Sequence, residues 1–198
     1  MTNVPASQVQ ELRRRTGVGM MECKRALEET GGDLEGAIDV LRTRGQAKAA
    51  TKAGRAADEG RIESYIHLGG KIGVLLEINC ETDFVAKTDA FQALARSLAM
   101  QVAATSPLAV DRQGLDPEVV EREAAIYRQQ ARDSGKPAEI VEKIAAGKLE
   151  KWYQEICLLD QAFIKDPDRK VSDVVTEALQ RLGENVIVRR FTRYEVGA

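Results

Sequence analysis

Between residues 72 and 102 the hydrophobic period of the chain changes once, and cleanly. Ile72, Val74, Leu76 and Ile78 alternate with their neighbours, the period of a strand with one buried face. Phe91, Leu94, Ala95, Leu98, Ala99 and Val102 then fall on one helical stripe, the strongest in the sequence. A one-faced strand feeding a one-faced helix needs a mixed fold, with sheet and helix covering each other. The connection is Asn79-Cys80-Glu81-Thr82-Asp83-Phe84-Val85-Ala86. Connections run over the surface, so a Phe placed there is either a plug that seats the next helix or a probe offered to a partner. In the plug reading Thr82 or Asp83 caps a helix, and Phe84 and Val85 pack beneath it.

On the N-terminal side, three short helical patterns are separated by glycines. Ser7 is the expected cap of the first, with Val9 and Leu12 on one face, and Thr16-Gly17-Val18-Gly19 ends it. Met20, Cys23, Ala26 and Leu27 stripe the second; Gly31-Gly32 stops it. Asp33 caps a third carrying Leu34, Ala37, Ile38 and Leu41. Residues 1–45 thus predict a three-helix bundle near the lower size limit for independent stability. Residues 46–60, rich in Ala and Lys with little to bury, predict a helical linker. Residues 61–198 predict an α+β core. In it, Arg61–His67 and Ile72–Cys80 form a hairpin about Leu68-Gly69-Gly70-Lys71, with Ile62 and Ile66 sharing a face of the first strand. Asp116-Pro117 opens a helix with Val120, Ala124, Tyr127 and Ala131 inward. Lys136-Pro137 opens another, expected to break at Gly147 and resume with Leu149, Trp152 and Ile156. Ser172 is the expected cap of a last helix through Leu182, and Asn185–Val196 closes the chain as a strand. Fold class is therefore α+β, a small antiparallel sheet packed with helices.

Composition narrows the chemistry. No apolar run approaches the ~20 residues of a membrane span, and the first five residues lack a signal peptide's basic and apolar regions. Cys23, Cys80 and Cys157 are odd in number, without metal-ligand spacing, and read as reduced core cysteines of a cytoplasmic protein. Residues 1–57 hold ten Lys/Arg against seven Asp/Glu, a surplus too small for a nucleic-acid footprint. His67 is the single histidine, which argues against a metal site and against a Cys–His dyad. Gly17-Val18-Gly19 starts like a dinucleotide fingerprint, but Glu22 stands where the third glycine belongs and no strand precedes it. The chain is expected to be no enzyme and to bind no nucleotide, metal or cofactor itself. Met20 and Met21 point about 100° apart on a helix, so at least one is exposed beside Lys24, either idly or as a docking surface.

Three segments bear a family resemblance. Residues 12–27, Leu-Arg-Arg-Arg-Thr-Gly-Val-Gly-Met-Met-Glu-Cys-Lys-Arg-Ala-Leu, closely resemble the N-terminal signature of bacterial translation elongation factor Ts. Residues 73–86, from Gly73 to Ala86 through Thr82-Asp83-Phe84-Val85, are similar to its second signature, and 188–197 to its closing strand. The likeness runs in order along the chain. It implies a guanine-nucleotide exchange factor for elongation factor Tu. It also implies that a bundle similar to ubiquitin-associated domains docks on the GTPase domain, while the Thr-Asp-Phe-Val loop enters near the magnesium site. By motif position, Thr82, Asp83, Phe84 and Val85 are the inserting element, and Arg13, Met20, Met21 and Lys24 the docking contacts. Longer members have two core halves, each with a hairpin, plus a coiled-coil insertion. This sequence has one hairpin and no room for the insertion, so contact with the GTPase's distal domain is reduced or comes from a second copy. A homodimer through the core is expected, with His67 a candidate for that distal contact. The competing reading is an adaptor that binds peptides or ubiquitin-like partners through the bundle.

Overall fold

The computed structural model describes residues 4–52, 54–135 and 137–197, and at 46 and 48–50 the backbone. Parts of three expectations (the leader reading at 1–3, the linker at 53 and the helix start at Lys136) lie outside the described residues. The chain falls into two compact units. The first comprises Met1–Arg61, Asn79–Leu94 and Val175–Ile187, the second Ile62–Ile78, Ala95–Val174 and Val188–Ala198.

The first unit opens with helices α1 (Ala6–Thr16), α2 (Met20–Glu29) and α3 (Leu34–Lys52). Their core is Val9, Leu12, Val18, Cys23, Ala26, Leu27, Ala37 and Leu41: residues of the helical stripes in the sequence, less the exposed Met20, with Val18 added from the connection between α1 and α2. Helix α1 starts at Ala6 with Pro5 at its N-cap, so Ser7 is helical and does not cap. It stops at Gly17, whose φ of 68° is the left-handed geometry glycine adopts without penalty. Asp33 does cap, its carboxylate accepting the Glu35 N–H at 3.2 Å. High Ala and Lys content carries α3 on through residue 52 without a break.

The hairpin stands as expected, with its turn in the second unit. Strands β1 (Glu59–Ile66) and β2 (Ile72–Cys80) join with β5 (Val186–Glu195) in a three-stranded antiparallel sheet of order β1-β2-β5. Gly69 and Gly70, both at positive φ, make the turn. Val74 and Leu76 are buried on one face of β2, as the alternation requires. The face that Ile62 and Ile66 share is the solvent face: they are 65% and 64% exposed, while Glu63 between them is buried and meets Arg96 at 3.4 Å. The inward residues of α5 (Asp89–Thr105) are all buried, and within this unit Arg193 donates to the Ala103 carbonyl at 3.2 Å.

Helices α6 (Pro117–Asp133) and α7 (Ala138–Ile156) form a helical hairpin. Asp116 caps α6 through the Glu118 N–H at 2.9 Å, with Pro117 at the first position. Helix α7 runs unbroken through Gly147, contrary to the expected interruption. One exposed glycine costs about 1 kcal/mol, too little to break a helix packed on both sides of it. A short pair, β3 (Ala162–Phe163) with β4 (Asp166–Lys170), has no counterpart in the sequence reading. It is held by buried Gln101, which donates to Gln161 Oε1 at 3.0 Å and accepts the Ile164 N–H at 2.8 Å. Helix α8 (Val171–Leu182) begins at Val171, which places Ser172 inside it and not at its cap. Among the described residues no helix is long and apolar enough to cross a membrane. Cys23, Cys80 and Cys157 are free and buried, as their scattered spacing implied.

Candidate functional site

Strand β2 hands the chain to a four-residue helix, α4 (Asp83–Ala86). Thr82 is its N-cap: extended at φ −132°, ψ 152°, it offers Oγ1 to the Val85 N–H at 3.4 Å. Thr88 repeats the device six residues on, taking the Phe91 N–H at 3.3 Å to start α5 and donating back to the Val85 carbonyl at 2.8 Å. Cys80 is fully buried, which pushes its thiol pKa up and keeps the proton that it donates to the Thr82 carbonyl at 3.1 Å.

Between these two caps Phe84 is 79% exposed. It does not pack beneath the helix, and the plug reading fails at that residue; buried Ala86 and Phe91 occupy the interior instead. Asp83 lies 2.5 Å from Lys87, an i,i+4 pair on the surface. The Lys87 ammonium holds the Asp83 carboxyl below the usual carboxylate range, so the tip presents an ionised carboxylate with its own counter-ion beside an aromatic ring.

The tip is fastened from behind, within the same unit, by the segment after α8. Helix α8 stops at Gly183, which has a φ of 79° and donates its N–H to the Leu179 carbonyl at 2.9 Å. Glu184 then takes both donors of Thr82, the N–H at 3.0 Å and the hydroxyl at 2.6 Å. In the opposite sense Glu81 accepts the Asn185 N–H at 2.7 Å and meets Arg55 at 3.6 Å. The buried Asn185 amide donates to the Arg55 carbonyl at 2.9 Å, and Lys52 donates to the Gly183 carbonyl. No local pattern in the sequence marks Glu184, Asn185 or Arg55. Their one sequence signal is that Glu81 and Glu184 are carboxylates adjoining, respectively, the motif and a helix-ending glycine.

The other residues singled out from sequence lie in two further places. Met20, Met21 and Lys24 share α2, and Arg13 is in the last turn of α1, exposed, its carbonyl taking the Gly17 N–H. Both methionines are exposed, at 39% and 61%; Cys23, Ala26 and Leu27 fill the core without them. Lys24 is tied loosely to Glu28 at 3.7 Å. His67 belongs to the second unit, at the turn after β1, where its Nδ1 is 3.0 Å from the Tyr65 hydroxyl and Arg96 covers the Tyr65 ring at 4.9 Å.

The family model for elongation factor TS matches residues 42–198. The chain is 57% identical over 194 residues to the elongation factor Ts of Carboxydothermus hydrogenoformans, covering 98% of this chain and 89% of that one. It is 56% identical to that of Geotalea daltonii, with 98% and 90% covered. The figure for that of Desulforamulus reducens is 56%, with 100% and 91% covered. Likeness at this level along nearly the whole of every chain compared shows that the protein belongs to the elongation factor Ts family.

Proposed function

We propose that this chain is the guanine-nucleotide exchange factor for elongation factor Tu, and that Thr82-Asp83-Phe84-Val85 is the element that dislodges GDP. The observation that carries the reading is Phe84: 79% exposed on a capped and fastened turn, next to an ionised carboxylate. An exposed ring on a held support is a poor arrangement for folding and a good one for insertion. Guanine nucleotide is bound largely through its phosphates and Mg²⁺, so a wedge that displaces the phosphate loop or the metal removes much of the affinity. Asp83 competes for the cation and backbone donors that serve the nucleotide. Its pairing with Lys87 lets the carboxylate approach an anionic site at reduced like-charge cost.

Magnitudes require more than the tip. Lowering nucleotide affinity 10⁴-fold takes ~5.5 kcal/mol of differential binding, whereas burying one Phe side chain contributes roughly 1.5–3 kcal/mol. The remainder falls to the α2 face, where Met20 and Met21 supply apolar area and Lys24 and Arg13 charge. Because coupling is reciprocal, nucleotide weakens the factor's binding by the same ratio, which lets the factor leave. Nothing covalent happens in this scheme, and the protein acts by binding alone, in the cytoplasm.

A second copy completes the assembly. Ile62, Ile66 and Leu75 share the solvent face of the sheet, where Ile66 lies over the bare Cα of Gly73, and Tyr194 and Val196 at the end of β5 are exposed as well. Two arginines of that strand are engaged within the unit, Arg190 with Glu77 at 2.6 Å and Arg193 with Glu195 at 2.6 Å. A two-fold pair covers this surface, and the partner's His67 then becomes the contact to the GTPase's distal domain. The test is release of fluorescent GDP from elongation factor Tu as this protein is titrated in. Saturating acceleration is expected; release at the spontaneous rate, with binding retained, would instead mark an adaptor.

A further inference from the structure

We propose that Glu184 is a positioning residue for the exchange tip: its carboxylate fixes the rotamer of Thr82 and thereby the angle at which Asp83 and Phe84 are presented. The proposal rests on the reading above. Helix α4 has four residues and buries Ala86 alone, so it lies far below the length at which a helix holds itself together. Its shape depends on the cap. Thr82 Oγ1 accepts from the Val85 N–H and can do so only while its own proton points elsewhere; that proton goes to Glu184 Oε1 at 2.6 Å. The other oxygen of the same carboxylate takes the Thr82 N–H at 3.0 Å. One side chain thus sets both the backbone direction and the hydroxyl rotor of the cap.

Glu184 is itself well placed to act as an anchor. Gly183 ends α8 in left-handed geometry, Lys52 holds the Gly183 carbonyl, and the next residue, Asn185, is 2% exposed and bonded to Glu81 and Arg55. Glu81 and Glu184 are exchanged between the two segments, each satisfying donors on the other. Such a reciprocal clasp places the ordering cost of the tip in folding, so docking does not bear it. If the tip acts after docking, loosening it lowers the fraction of docked complexes in which Phe84 is inserted. That lowers the rate at saturation, while the concentration needed for docking stays as it was.

The experiment compares wild type, Glu184→Gln, Glu184→Ala, Thr82→Val and Phe84→Ala in fluorescent-GDP release from elongation factor Tu, as rate against factor concentration, with circular-dichroism melts alongside. Glu184→Gln is isosteric, keeps one acceptor and turns a donor toward the donors of Thr82. The expected result is a maximal rate about tenfold lower, the size of one hydrogen bond to a charged group, at an unchanged half-saturating concentration and with the chain folded. The loss should not add to that of Thr82→Val in the double variant, because both remove the same contact. Amide exchange at Val85 should quicken. An unchanged maximal rate in both Glu184 variants, with Phe84→Ala inactive, overturns the positioning role and leaves the exchange reading standing. Full activity of Phe84→Ala overturns the assignment of the tip as the element that dislodges GDP, on which the proposal rests. A shifted half-saturating concentration at unchanged maximal rate assigns Glu184 to direct partner contact and overturns the proposal. So does a rate loss matched by loss of folded protein in Glu184→Gln.

Discussion

Thr82 shows how much one residue of the tip is asked to do: it accepts from Val85 and donates twice to Glu184. The capping half of that was legible, since a hydroxyl before a short turn is a local signal. The other half was not, because Glu184 is 102 residues away and nothing in its neighbourhood marks it. Phe84 was legible only as a choice between plug and probe, because burial is decided by what the rest of the chain leaves uncovered. Asp83 allows a direct check of the tip's electrostatics. Its pKa is lowered chiefly by the hydrogen bond from Lys87. A lowered carboxylate keeps its charge, and its pairing with Lys87, down through the ordinary range, and loses both only as pH falls through the depressed value. In Lys87→Met the Asp83 titration followed by NMR should therefore move up toward the ordinary aspartate range. An unmoved titration would show that the pair does not persist in solution.

Elements follow from periodicity wherever a stripe is long and its ends are punctuated. The stripes of α1, α3 and α5 became buried or half-buried faces, as did that of α2 without its Met20 and that of α6 at Ala124 and Ala131, and Asp33 and Asp116 became caps. Departures occurred where a weak local signal met tertiary packing. Gly147 did not interrupt α7, and β3–β4, too short to show a period, was set by the buried Gln101 and Gln161. Gly147 has helical neighbours, is not at positive φ, and has open space where a Cβ would stand. Gly147→Ala should therefore raise stability by about 0.5–1 kcal/mol through the unfolded chain's entropy; a lower melting temperature would mean that the glycine serves a contact. Helix α2 yields a functional prediction. Its methionines are not needed by the core, so Lys24→Glu and Met21→Ala should leave melting unchanged. Lys24→Glu should slow association with elongation factor Tu in a salt-dependent way, as charges at an interface rim do, and Met21→Ala should speed dissociation. Stopped-flow rates that match wild type at low and moderate salt would remove α2 from the docking surface.

At the scale of the whole molecule the α+β class was legible, because the change of period at residues 78–91 admits few alternatives. Which sheet face stays open was not, since Ile62 and Ile66 look in sequence like any inward pair. Their exposure, with that of Leu75, underlies the predicted homodimer: light scattering should give about twice the 21.7 kDa chain mass, and Ile62→Asp should halve it at little cost in folding. A wild-type monomer with full exchange activity at micromolar concentration would contradict the assembly. Exchange by this route depends on the tip being a tool and not a joint. The measurement that bears on this most directly is the rate of GDP release from elongation factor Tu at saturating factor, wild type against Phe84→Ala, with both melts recorded. Phe84 is exposed, so the variant should melt within a degree or two of wild type, as surface substitutions do, while losing most of the acceleration. A variant that releases GDP as fast as wild type, or that loses activity only by unfolding, would contradict it.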